Sequence, residues 1–562
     1  MIVPGGDSAE RRATNKLGTW VLRTHTLPTV LLRTMPVLPA QTIPTSSGIG
    51  VDSGKSAQFA AGGFSLALMG AAFAFSTCYF REFIFPNTPF LPWADAVGFL
   101  NNGTRIVAGR LPYRDYFAFL PPGTELTYAF LIREFGAHAW IPALMMVCLA
   151  AVTVLLMTLL AGQVIRGRAV ILPGLLLVGF ALPGAMDATH HWFSTVGVLA
   201  ASLILLSGST WPRIAAVGIL CGIAACYTQN KGALAVLGFI VYLTWKMYLE
   251  ATSRSDCWRK SVVLFGLSAA VFIAVNAYFI KASGLHRWLY CIIVFPLRYY
   301  PSVSLNSWRV YGHGLGGLRL GIIPFLFIHA AVPLVYIFSL VAIYRGRKKE
   351  PGQPWNQLLL ISVTGMAMFL AIASSPSWKR LSTVSPPAMI LLVWFLSRPG
   401  RVRTGYRIGL ATAAVILALA AAVRTQTRWH AYLNLPVGRT ALDDSGRYEE
   451  YGYMLGHTHP GQLFFGTPPV LFAFKLQNPA PIDVFVTAEY TRPEQVSATI
   501  QTLERFRVPM LMLNRQMYEQ FVATSPSDHL DPLRAYLLQS YRLTKRFQAD
   551  DELWERYCPK TQ

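Results

Sequence analysis

The 562-residue chain is 53% hydrophobic and only 14% charged, with a mean hydropathy of +0.40. Soluble proteins carry about a quarter charged residues, so an ordinary soluble domain is excluded and an α-helical polytopic membrane protein is implied. The net charge of +22 then calls for no nucleic-acid partner, because basic residues at helix ends set orientation and meet the lipid bilayer.

Residues 1–60 show no periodicity and are strewn with Pro, Ser, Thr and Gly. We read them as a disordered cytoplasmic tail, or partly as an upstream extension of the true start. The run VLRTHTLPTVLLRTMPVL is too broken to span a bilayer, and no cleavable signal peptide is evident.

Apolar runs long enough for a hydrocarbon core of roughly 30 Å then recur. They predict spans at Gly62–Phe80, Trp140–Ile165, Ala169–Pro183, Phe193–Ser207, Ile214–Thr228 and Ala233–Leu249. Further spans are predicted at Val262–Ile280, Leu320–Tyr344, Leu358–Ala373, Leu381–Leu396 and Ile408–Val423. The tenth is short and carries Pro386 and Pro387. The densest short basic clusters are Arg166 to Arg168, Arg213, Lys246 to Lys260, Arg345 to Lys349 and Arg398 to Arg407. They share one side if the N-terminus is cytoplasmic, as the positive-inside rule requires. The loop 81–139, the turn MDATHH, the loop Lys281–Arg319, the turn SSPSWKRLST and everything after Arg424 then fall outside the inner (cytoplasmic) membrane.

Residues 425–562 carry charges of both signs and read as a small extracytoplasmic α/β domain. QLFFG, IDVFV and PMLML are its expected strands, and PEQVSATIQTLERF is a helix opened by proline at its first turn.

The first outer loop is longer and more polar than a connector needs. From Trp93 to Glu125 it is rich in Gly, Pro and aromatics and bears Asp95, Arg105, Arg110, Arg114, Asp115 and Glu125. A carboxylate at a membrane surface can act as a general base, since partial desolvation lifts its pKa toward the working range. Asp95, Asp115 and Asp187 are the candidates. The competing reading has Asp95 and Asp115 capping short helices or pairing with Arg105 and Arg114.

The outer loop with Lys281, Arg287, Arg298, Arg309 and Arg319 contains no acidic residue, and Lys379 and Arg380 form a second outer pair. With Tyr299 and neighbouring aromatics, these cations suit a lipid-borne phosphate. Arg298, Lys379 and Arg380 are expected to have no nearby carboxylate; nonspecific headgroup contact is the alternative. Arg114 and His191 complete the substrate-binding candidates. In MDATHHW, Asp187, His190 and His191 lack an evident third metal ligand. Gln229, Asn230 and Lys231 form a polar break between two spans, lining a cavity or making a turn.

The seven cysteines form no Cys-x-x-Cys pair; Cys291 and Cys558 could meet only if their segments share a compartment. GHGLGG at 312–317 matches a dinucleotide fingerprint but lacks the preceding strand. No Walker motif is present.

An acid just after the first span, followed by NNGTRIVAGRLPYRDYF and PPGTE, resembles the first outer loop of polytopic GT-C glycosyltransferases. That superfamily includes the protein mannosyltransferase, aminoarabinose transferase-like and RgtA/B/C/D-like groups. QNKG and SWKR fit the same resemblance, which covers residues 62–424. Many members have Asp-Glu where this chain has Asp95-Ala96, so no divalent metal or other cofactor is assigned. The resemblance implies inverting transfer of a hexose or pentose from a polyprenyl-phosphate-linked sugar donor to a glycan, lipid or protein acceptor, with Asp95 as base. A secondary transporter or lipid-linked sugar flippase is the alternative, but the polar residues gather in one outer layer rather than near the midplane. A membrane anchor displaying the C-terminal domain would leave the first loop unexplained.

Overall fold

Apolar helices stand at all eleven expected positions of the computed structural model. It describes residues 53–91, 95–250, 253–303, 306–311, 322–486, 488–514, 529–548 and 551–557. Residues 1–52 of the expected tail, Trp93, the glycine-rich 312–317 segment, Arg319 and Cys558 lie outside these residues, whereas residues 53–60, expected to be disordered, open the helix Ser53–Glu82 that continues into the first span. Cys291 is a buried free thiol.

Among the described residues, seven helices are long and apolar enough to cross a membrane: Gly63–Glu82, Trp140–Ala161, Gly167–Gly184, Gln229–Leu249, Arg254–Ser283, Ile323–Gly346 and Arg401–Thr427. Four shorter apolar helices, His190–Leu206, Trp211–Tyr227, Trp355–Ala371 and Pro386–Leu396, fill the remaining positions. The chain is a multi-pass membrane protein. Proline and glycine shape two of these segments. The third begins as a 3₁₀ turn at Gly167–Ile171 and passes through a π turn at Leu177–Ala181. The tenth breaks into Trp378–Val384 and Pro386–Leu396, since Pro386 has no N–H to continue a helix.

The long first loop is built structure. Helix Asp95–Val107 packs on helix Gly123–Phe135, and between them Tyr113 takes a left-handed φ of 67°. Its hydroxyl donates to the Leu120 carbonyl at 2.6 Å. Gly123 is required where that helix begins, because a Cβ there would lie 2.5 Å from the Cys226 carbonyl oxygen.

The C-terminal region is α/β, with a four-stranded sheet ordered Phe464–Phe465, Met510–Asn514, Asp551–Arg556, Tyr541–Arg546. Its first pair is parallel and the others are antiparallel. Helix Pro493–Arg505 forms as expected. IDVFV does not form a strand. Asn478 instead holds the chain after Pro479 and Pro481, its side chain bonding Ile482 O at 3.2 Å and Ala480 N at 2.9 Å. The strands at 431–435, 438–442, 541–546 and 551–556 have no counterpart among the expected ones.

This region and the first loop share one core, in which Val97, Leu100, Tyr128 and Ile132 pack with Leu435, Tyr451, Phe464 and Val470. Backbone bonds tie the two together: Leu91 N to Ala441 O at 3.1 Å, Phe117 N to Pro481 O at 2.8 Å, and Ala139 N to Val437 O at 3.0 Å.

Candidate active site

Asp187, in the turn after the third apolar helix, accepts the Asp95 N–H on Oδ2 at 3.3 Å and the Ala96 N–H on Oδ1 at 3.1 Å. The first N–H groups of a helix have no partner within it. Asp187 therefore caps the helix that Asp95 begins and fixes where the Asp95 side chain starts. Lys379, near the start of helix Trp378–Val384, donates to Asp95 Oδ2 at 2.7 Å and also to Asp187 Oδ2. The expectation that Lys379 has no carboxylate near it is thus corrected: it bridges two, from residues 284 and 192 positions away.

Close backbone packing makes this meeting feasible. A Cβ on Gly184 would lie 2.4 Å from the Trp378 ring, so glycine there lets the turn carrying Asp187 approach the helix carrying Lys379.

The two carboxylates differ in setting. The Asp95 side chain is 63% exposed and that of Asp187 only 7%. Burial pushes Asp95 upward, but Lys379, with His190 and Arg380 behind it, holds its carboxyl below the ordinary range. Burial raises Asp187, and the Asp95 charge adds to this, in spite of the same lysine. Lys379 thus holds Asp95 in its ionised form at the surface, while Asp187 beneath it is the carboxyl whose charged form is disfavoured.

Arg380 completes the cluster. Its Nη2 donates to the Tyr300 hydroxyl, its Nη1 to Ser375 O at 3.2 Å, and its guanidinium lies 5.6 Å from the Tyr300 ring centre. Tyr300 stands among Phe119 and Tyr490, at ring separations of 5.1 and 6.0 Å. Tyr490 belongs to the C-terminal region, so three separate parts of the chain wall the cluster.

The other expected site residues take different partners. Asp115 accepts from Arg114 at 2.7 and 2.9 Å and from Leu111 N at 2.7 Å. The hydrogen bond from Arg114 pulls its carboxyl below the usual range. The two residues thus form the local pair of the alternative reading. Arg298 is exposed and lies 5.4 Å from the Tyr299 ring centre; Arg492 lies over that ring at 4.3 Å. His191 is buried with its ring centre 3.9 Å from that of His190, the two rings tilted by 39°, and its Nδ1 has no hydrogen-bond partner among the described residues. Among the described residues, no group of three His, Cys, Asp or Glu side chains could hold a metal ion.

Tyr300 was expected only as one of the aromatics beside the outer cations Arg298 and Arg309, and its hydrogen bond from Arg380 was not foreseen. Arg105 pairs not with Asp95 but with Asp483, at 2.6 and 3.0 Å. Glu125 is buried, accepting from Asn102 at 2.8 Å and Tyr116 at 3.0 Å; burial raises it to about 7.

The fold and the cluster define a polytopic helical membrane protein with a charged cluster at one end of its apolar helices. Solved structures that share the fold include two of ArnT from Cupriavidus metallidurans. The form bound to undecaprenyl phosphate aligns with a TM-score of 0.53 at 13% identity, covering 90% of this chain and 98% of that one. The apo form aligns with a TM-score of 0.53 at 13% identity, covering 89% and 97%. No family model matches the chain, and no curated protein matches it.

Proposed function

We propose that the protein is a membrane glycosyltransferase that moves a sugar from a polyprenyl-phosphate-linked donor to an acceptor hydroxyl at the outer face of the cytoplasmic membrane. The observation that carries the reading is Lys379, bridging an exposed and a buried carboxylate beside Arg380. In this reading Asp95 is a proton acceptor next to two cations at the end of an apolar helix bundle. The ArnT fold supports the same reading, since that protein is seen with undecaprenyl phosphate.

In this reading Lys379 and Arg380 receive the donor's phosphate, where a charge-assisted contact is stronger than a neutral one. Asp95 accepts the proton of the incoming acceptor hydroxyl. The hydroxyl oxygen bonds to the anomeric carbon as the bond from that carbon to the phosphate oxygen breaks. Polyprenyl phosphate leaves, and a single displacement inverts the anomeric centre. A phosphate drawing on Lys379 relieves Asp95 of part of its counter-charge and raises its basicity when the donor is in place. Asp187 positions Asp95 and takes no proton from substrate.

The test is sugar transfer from polyprenyl-phospho-sugars to endogenous acceptors in membranes containing the protein. Asp95→Asn keeps shape and hydrogen bonding but loses basicity, and general-base assistance is worth about 10²–10⁴-fold. Transfer should fall by that factor at normal expression. Lys379→Ala should cost roughly tenfold or more in apparent donor affinity. Near-full transfer by Asp95→Asn would remove the base assignment, and wild-type membranes inert with every donor would remove the activity.

A further inference from the structure

Lys231 lies in the QNKG segment at the start of helix Gln229–Glu250 and is fully buried. Its Nζ donates to three acceptors: His191 O at 2.9 Å, Thr195 Oγ1 at 3.0 Å and Thr383 Oγ1 at 3.1 Å. An ammonium has three N–H donors and no acceptor, so every donor is used and no carboxylate is among the partners. Placing a cation in the first turn of a helix also opposes the helix dipole. Nothing in the packing of one apolar helix explains why so costly a group sits here.

Its partners do explain it. Thr383 passes the contact on, its hydroxyl donating to Arg380 O at 2.8 Å. Thr195 Oγ1 reaches Thr383 O at 2.8 Å and His191 O at 2.8 Å. One ammonium therefore holds two things at once: the end of the turn that carries Asp187, and the short helix that carries Lys379 and Arg380. Gly184 and Trp378 bring those two segments into contact; Lys231 sets their register from below.

The geometry points to Lys231 as a positioning residue that holds the Lys379–Arg380 pair in register with Asp187 and Asp95 to receive a lipid-borne phosphate. This rests on the donor reading above. It assigns no contact between Lys231 and the reacting atoms; the effect is transmitted through Thr383 and the His191 carbonyl.

The experiment compares two lipids on the purified full chain in detergent: undecaprenyl phosphate and the neutral alcohol undecaprenol. The phosphate-specific gain in affinity reports the placed cations, whereas binding of the alcohol reports the apolar helices. Wild-type protein should prefer the phosphate. Lys231→Met should lose about tenfold of that preference, the size expected for a charge-assisted contact, with the alcohol's affinity unchanged. Thr383→Val is isosteric, leaves Lys231 two acceptors, and should lose part of the same preference; it carries the test if Lys231→Met does not fold. Full phosphate preference in the folded variants, or equal weakening of both lipids, would overturn the positioning role while leaving the donor reading intact. A wild-type protein indifferent to the phosphate would instead overturn the donor reading, and this inference with it.

Discussion

Asp187 caps the helix that begins at Asp95, accepting the Asp95 N–H at 3.3 Å and the Ala96 N–H at 3.1 Å. The more deeply buried carboxylate is thus the fixture that aims the exposed one. A cap of this type is worth about 1 kcal/mol, and a displaced catalytic group can lose about 100-fold in rate. Asp187→Asn keeps an oxygen for the backbone N–H groups; Asp187→Ala does not. The alanine variant should melt lower than the asparagine variant by about 1 kcal/mol and transfer sugar more slowly. Melting and transfer measured side by side decide this: alanine and asparagine variants with equal melting and equal rates would show that the cap does not place Asp95.

The first loop and the C-terminal region are joined by a buried ion pair. Arg105 and Asp483, 7% and 11% exposed at the side chain, make two hydrogen bonds, and Asn101 and Asn478 add donors to Asp483 at 3.0 and 2.6 Å. Removing one partner leaves a buried charge uncompensated, which costs about 3–5 kcal/mol. Arg105→Met should therefore destabilise the protein strongly, and Arg105→Met with Asp483→Leu should recover much of the loss. Thermal melting of the two variants checks this. A double variant no better than the single one would mean that the pair is not the coupling element.

The spans were legible because each is a local apolar run. Their breaks also follow from local chemistry, as Pro386 shows. The site was only half legible. Asp95, Asp187, Lys379 and Arg380 stood out as charges at helix ends. That Lys379 joins the two acids was not legible, because no local pattern relates residues 192 and 284 positions apart. Asp115 stood out for the same reason as Asp95, yet its neighbour Arg114 takes it. The IDVFV run looked like a strand by its apolar alternation. The prolines before it and the pull of Arg105 on Asp483 override that pattern, which short-range reading cannot anticipate.

A pH dependence follows from Glu450, buried in helix Ser445–His457. Burial, with Asp551 nearby, raises it from 4.5 to about 8. Between those values the unfolded chain has released this proton and the folded chain has not, so the folded state binds more protons and stability falls as pH rises. The contribution is fully present below pH 4.5 and is lost as pH climbs toward 8. Glu125, raised to about 7, acts in the same direction. The melting temperature should decline across this window, and Glu450→Gln should flatten the decline. An unchanged slope in Glu450→Gln would place the pH sensitivity elsewhere.

The two ends of the bundle differ in a way that predicts orientation. At one end the first loop, the Asp187 turn, the 378–384 helix and the C-terminal region meet. The basic loops contact one another elsewhere: Arg347 lies 4.9 Å from the Trp245 ring, Lys260 lies 5.9 Å from the Trp211 ring, and Arg398 pairs with Glu350 at 3.3 Å. Lys and Arg in short loops are retained on the cytoplasmic side during insertion, so the basic loops should face the cytoplasm and the Asp95 cluster the outside. With the proposed polyprenyl-phosphate donor, which is confined to the bilayer, the side on which Lys379 and Arg380 stand fixes where the phosphate is presented. Alkaline phosphatase fused after Gln562 requires an oxidising compartment and should be active there, while a fluorescent protein fused at the same point and exported unfolded should stay dark. The reverse pattern would turn the cluster toward the cytoplasm and require a cytoplasmic donor.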